Sequence, residues 1–210
     1  MAPRDEAELR RQQIIDGALR AFSQLGFERA TNRDIARAAG IGSPGLIYHY
    51  FKDKTDLLYQ VVRERMPLIQ LIDSMKELDD TPPEVVLPQL AGRLAHLINQ
   101  PLTVAIGKII IGEVLRHPQL AQVINEIGPG RAMNLLAAYL ERQMALGRLR
   151  RTDPQIAVRL LIGPLYAYFL SRYVLNQPEA HAISPHAMVT EAVDLFLRAM
   201  QPEANQNPSS

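Results

Sequence analysis

Between residues 40 and 51 the chain reads GIGSPGLIYHYF. Gly40, Gly42 and Gly45 reproduce the G-x-G-x-x-G string that cradles a dinucleotide pyrophosphate. Tyr48, His49, Tyr50 and Phe51 follow, offering phenol hydroxyls and an imidazole that can bond a phosphate or a base edge. Further on, Glu113 and His117 stand four apart, a spacing that can place two metal ligands on one helix face. Two ligands without a third do not make a metal site, so no metal is expected. The chain has no cysteine, which excludes disulfides, thiolate catalysis and cysteine-bound zinc. No nucleophile–base pair or carboxylate dyad stands out, so neither an enzyme nor a cofactor is expected.

The elements around the glycines decide what they do. Ile14, Ile15, Ala18, Leu19, Phe22 and Leu25 form one apolar stripe on a first helix that Gly26 closes. Thr31, three residues before Asp34, opens a second helix over 32–39 in the manner of a capping box, and Gly40 ends it. Ser43-Pro44 reads as an N-cap with a first-turn proline, opening a third short helix through Phe51. Asp53 and Asp56 flank the start of a fourth, which Pro67 kinks or ends. A dinucleotide site needs a strand entering the glycine loop, and here a helix enters and a helix leaves. Ile47 and Phe51 share an inward face, which leaves Pro44, Gly45, Leu46, Tyr48, His49 and Tyr50 to meet something outside. Two short helices joined by a tight turn form a helix-turn-helix, whose second helix enters the DNA major groove.

The remainder is also helical, with helices expected at about 84–99, 102–116, 118–127, 130–147, 153–176 and 185–201. Pro88 and Pro164 imply kinks inside two of them. The fold class expected is all-α. An N-terminal three-helix helix-turn-helix DNA-binding domain spans 1–56, a larger helical ligand-binding and dimerisation domain 57–201, and a disordered tail 202–210. The formal net charge is +1, and residues 1–66 carry 11 Lys and Arg against 9 Asp and Glu. Bulk charge therefore argues nothing about nucleic acid, and position must. The N-terminus lacks the apolar stretch of a signal peptide. The most apolar run, Leu160 to Leu170, is far short of the roughly 20 residues of a membrane span. A cytoplasmic protein with no membrane partner is expected.

From Arg11 to Leu58 the chain resembles the N-terminal domain of the TetR family of bacterial transcriptional repressors. The likeness rests on the Ile15–Ala18–Phe22–Gly26 register, Thr31 opening helix two, DIARAAG, GLIYHYF, and the K-D-K-x-x-L run from Lys52 to Leu57. The family runs from the turn glycine through one apolar residue to the serine, and Gly42 is an additional residue here. Either the turn is one longer or helix two ends a residue early, with consequences for the angle of the recognition helix. The resemblance implies phosphate contacts from Thr31, Tyr48 and Lys54, and base or groove contacts from Pro44, Gly45, Leu46 and His49. Tyr50 packs beneath or touches the backbone. Thr31 and Ser43 also cap helices, worth about 1 kcal/mol each with or without DNA. Arg10 and Arg11 either reach phosphates or are solvated charge.

The family's C-terminal domain holds a small molecule and pairs through its last two helices in a four-helix bundle. Here apolar residues nearly ring the first of those helices and line the other, and a helix apolar all round requires burial on more than one side. Leu165, Phe169, Tyr173, Val189, Leu195 and Phe196 are the residues expected at a homodimer interface. His96, Glu113, Tyr139, Met144 and Tyr166 are the polar or polarisable candidates for a ligand pocket among apolar neighbours. Glu113 has a simpler role as an exposed group or as a helical partner of Lys108 or Arg116. The function implied is a regulator binding double-stranded operator DNA, released by a small, hydrophobic organic effector. Two alternatives stand beside it: a helical ligand-binding protein acting on something other than operator DNA, and a small all-helical enzyme. Steep salt dependence of DNA binding separates them.

Overall fold

The computed structural model describes residues 3–66, 69, 71, 74, 80–116 and 118–202. Every regular element among the described residues is a helix. His117, Pro67 and most of the expected disordered tail lie outside the described residues. Contacts gather the chain into two compact units, residues 1–66 with 105–127, and residues 67–104 with 128–210.

The first unit is built from α1 (Pro3–Leu25), α2 (Asn32–Ala39), a 3-10 turn (Pro44–Leu46), α3 (Ile47–Tyr50) and α4 (Lys54–Arg65), with most of α6 (Pro101–Arg116) and α7 (Pro118–Ile127). Four residues of the predicted stripe, Ile14, Ile15, Ala18 and Phe22 of α1, are buried along with Ile35, Ile47, Phe51, Leu57, Leu58, Val61 and Val62, while Leu19 and Leu25 are half-buried. Such burial removes apolar surface from water, about 25 cal/mol per Å². Gly26, Gly40 and Gly147 have φ of 80°, 68° and 73°, a region that costs glycine least, and each follows a helix end.

Gly17 plays a different part. A Cβ on it would lie 2.5 Å from the Cβ of Ala39 and 2.6 Å from its nitrogen, so α1 and α2 touch backbone to backbone there. Helix two keeps its full expected span and Gly40 caps it, so the additional residue at 42 is carried by the turn. Ile41 folds inward while Gly42 and Ser43 are exposed. The expected third helix is a 3-10 turn followed by one α turn. Ser43 sets this up, because its hydroxyl accepts from the Gly45 amide and its carbonyl from that of Leu46, an i to i+3 bond.

The second unit contains α5 (Pro83–Ile98), α8 (Pro129–Ala145), α9 (Pro154–Phe169), a π turn (Leu170–Val174), α10 (Pro178–Ala182) and α11 (Pro185–Ala199). Helix α5 packs on α11, and α9 packs on both α8 and α11. Leu87, Leu140, Ala157, Val158, Leu161 and Val189 are among the side chains of their common core. Pro88 and Pro164 sit inside continuous helices. The single helix expected over 153–176 instead widens after Phe169 into the π turn, where the Leu175 amide reaches back to the Leu170 carbonyl at 2.8 Å. Tyr168 and Arg172 donate to the carbonyl of Ile183, and Arg172 also to that of Ala180, which ties down the short α10 that periodicity did not reveal. No single helix among the described residues is long and apolar enough to cross a membrane.

Candidate nucleic-acid interface

The segment from Ser43 to Tyr50 presents two faces. Ile47 is buried and Phe51 follows it into the core, as their spacing predicts. Ser43, Gly45, Tyr48 and His49 are exposed, while Pro44, Leu46 and Tyr50 are half-buried. Tyr48, 61% exposed, is too open for a core role. Small groups at the start of the segment allow close approach of backbone to a base edge, and leucine suits a thymine methyl.

Three side chains expected at phosphates differ in what their protons already do. Thr31 is the N-cap of α2: its hydroxyl oxygen accepts from the Asp34 amide while its proton goes to Asp34 Oδ2 at 2.6 Å. The hydroxyl and amide of Thr31 together hold the Asp34 carboxyl below the usual carboxylate range. Lys54 Nζ donates to the carbonyls of Phe27, Glu28 and Ala30 at 2.8, 3.2 and 3.3 Å and stands 4.6 Å from the centre of the Phe27 ring. An ammonium has three protons, so Lys54 fastens the turn between α1 and α2, an occupation that its place at a helix start does not reveal. Tyr48 Oη accepts from Asn32 Nδ2 at 2.7 Å. Its own proton remains for an outside acceptor. Asn32, at the first position of α2, is the residue that sequence reasoning missed, because its partner is sixteen positions away and only the packing of α2 on the turn brings them together.

Arg11 is engaged inside the protein. It donates to Glu64 at 2.5 Å and to Gln60, and its guanidinium lies 5.7 Å from the Phe51 ring centre. The Glu64 hydrogen bond raises the Arg11 pKa further. Burial alone would raise the Glu64 carboxyl, but hydrogen bonds from Arg11 and Gln12 with the charges of Arg11 and Arg65 outweigh it and the net shift is downward. Arg65 completes the link by pairing with Asp16 at 2.7 Å and by bonding Gln12. These contacts join α1 to α4.

In the second unit, His96 and Tyr166 are exposed, whereas Tyr139 and Met144 belong to the core cluster. Tyr139 donates to the Thr81 carbonyl at 2.8 Å, and burial raises its pKa well above the ordinary phenol value. Glu113, in the first unit, is buried rather than exposed and pairs with Arg116 at 3.1 Å, one of its two anticipated helical partners. No group of three metal-ligating side chains occurs among the described residues.

Of the expected interface residues, Leu165, Val189 and Phe196 are buried in the chain's own core. A helix apolar all round does not reveal by periodicity which side faces inward. Phe169 and Tyr173 are half-buried with ring centres 5.2 Å apart, and Leu195 is exposed. The open apolar side of α9 and the π turn is Ile156, Leu160, Leu170 and Val174, with Gly163 and Ala167 between them and Tyr166 beside.

Two family models match the chain, one in each part of the sequence. Residues 14–61 match the model of the bacterial regulatory proteins, tetR family, and residues 85–202 that of the AefR-like transcriptional repressor C-terminal domain. The HTH-type transcriptional regulator BetI of Escherichia coli is 24% identical over 180 residues, 85% of this chain and 91% of that protein. SmeT, the repressor of the Stenotrophomonas maltophilia multidrug efflux pump SmeDEF, superposes with a TM-score of 0.71 at 24% identity, covering 95% of this chain and 94% of SmeT. SmeT also has a solved complex with triclosan. The transcriptional regulator FadR of Bacillus subtilis, solved with stearoyl-CoA, superposes with a TM-score of 0.71 at 23% identity, covering 90% of this chain and 99% of FadR.

Proposed function

Because the chain belongs to the TetR family of bacterial transcriptional regulators, its C-terminal family model alone spanning more than half of it, we propose that it is an operator-binding repressor released by a small molecule. It acts as a homodimer in the cytoplasm. The observation that carries this is the Ser43–Tyr50 segment, anchored by Ile47 and Phe51 while Gly45, Tyr48 and His49 stay open to solvent. Two such segments about 34–36 Å apart read half-sites in successive major grooves, so the site is near-palindromic. Pro44, Gly45, Leu46 and His49 meet the groove, and Tyr48 meets the backbone. Thr31 and Lys54 reach phosphate only by exchanging internal partners for it.

The open apolar side of α9, with Leu195 of α11, supplies the subunit contact. Gly163 and Ala167 in its middle allow two helices to come close. The effector is organic and largely hydrophobic, which the apolar second unit and its likeness in fold to proteins solved with triclosan and stearoyl-CoA support. Release needs no unfolding. An effector that prefers one conformer a hundredfold supplies about 2.7 kcal/mol, enough to shift the population that fits DNA.

The test is selection from random duplex DNA by the purified protein at about 150 mM salt, near physiological screening. A two-fold-symmetric motif is expected. A folded, dimeric, ligand-stripped protein that enriches nothing overturns this function.

A further inference from the structure

We propose that Asn32 is a positioning residue for the DNA backbone contact, holding the Tyr48 hydroxyl with its proton turned outward. This rests on the operator-binding function above. Tyr48 is 61% exposed, and an exposed phenol ordinarily rotates freely and shares its proton with water. Here its oxygen accepts from Asn32 Nδ2 at 2.7 Å. The backbone of Asn32 is itself fixed, because it begins α2 directly after the capping residue Thr31.

Two consequences follow from the chemistry of a hydroxyl. A phenol that accepts from an amide still has its single proton to give, and the accepted bond polarises that O–H toward a stronger donation. The ring is also ordered before contact, so less side-chain freedom is lost on binding. Among the three side chains expected at phosphates, Tyr48 alone has this arrangement. The Thr31 proton is given to Asp34, and those of Lys54 to three carbonyls. Asn32 touches no phosphate in this scheme. It acts through Tyr48.

The experiment uses the full chain and the duplex that the wild type enriches from random DNA. Affinities of wild type, Asn32→Ala, Tyr48→Phe and the double variant are measured over a range of salt, alongside thermal midpoints. Asn32→Ala is expected to bind about tenfold more weakly, the worth of one hydrogen bond to a charged group. Its log–log salt slope should be unchanged, since no phosphate-neutralising cation is removed. The double variant should bind no more weakly than Tyr48→Phe alone, with all midpoints near the wild type. Asn32→Ala binding as tightly as wild type overturns the assignment, and so does a double variant weaker than Tyr48→Phe by the full Asn32→Ala factor. A loss that tracks a lowered midpoint overturns it as well. A wild type that enriches no duplex removes the operator function itself, and this assignment with it.

Discussion

Lys54 stands at the first position of α4, where a lysine would ordinarily extend into solvent. Its ammonium instead turns back to the carbonyls of Phe27, Glu28 and Ala30, groups left open where α1 ends and α2 has not begun. Buried or half-buried carbonyls without donors are costly, and one cation serves all three. Lys54→Ala is therefore expected to lower stability by about 1–3 kcal/mol, seen as a lower urea midpoint. A midpoint equal to wild type would reassign Lys54 to an external contact. Gly17 makes a second residue-scale case. A methyl there meets Ala39 at 2.5 Å, and the Ala39 nitrogen and Cα stand at 2.6 and 2.7 Å. Gly17→Ala should cost about 1–3 kcal/mol through overpacking and weaken operator binding by displacing α2. Adding Ala39→Gly should not restore either property, because the obstructing atoms include backbone.

At the scale of elements, the starts of helices were the most legible feature. Thr31, Ser43, Asp153 and Ser184 each accept from an amide of the helix they open, and proline at the first turn marks three of these. Capping is local, so neighbours in sequence suffice to specify it. Where long-range packing decides, sequence was mute. The π turn at Leu170–Val174 and the short α10 depend on Tyr168 and Arg172 reaching carbonyls eleven or more residues on in the case of Ile183. The tie between α1 and α4 is of the same kind, since Arg11 and Glu64 are remote in sequence. That tie gives a pH prediction. The folded Glu64 carboxyl lies below its ordinary value of 4.5, so its contribution is complete above that value and is lost as pH falls through the lower folded one. Thermal midpoints should decline below about pH 4.5. Glu64→Gln should lower the midpoint at neutral pH and flatten the acid decline, as calorimetry would read.

For the whole molecule, the apolar residues of α9 and the π turn sort into an inner set, Ala157, Val158, Leu161, Leu165 and Tyr168, and an outer set led by Ile156, Leu160, Leu170 and Val174. Only the structure separates them, because hydrophobicity is shared by both. Leu160, 60% exposed, sits within the outer set. Leu160→Glu should place a charge on the proposed subunit contact and leave the chain's own core untouched, since the outer set does not pack inside. Sedimentation is expected to show a folded monomer with operator binding lost. A dimer that persists would move the subunit contact elsewhere. The outer set and the Tyr48 surface belong to different compact units, and this separation has a genetic consequence. A chain spoiled only at Tyr48 keeps the proposed subunit contact. In a cell carrying both alleles, such a chain would draw intact subunits into mixed pairs that grip one half-site only. The damaged allele should then be dominant, de-repressing its targets in the presence of a good copy, while an allele carrying Leu160→Glu should be recessive.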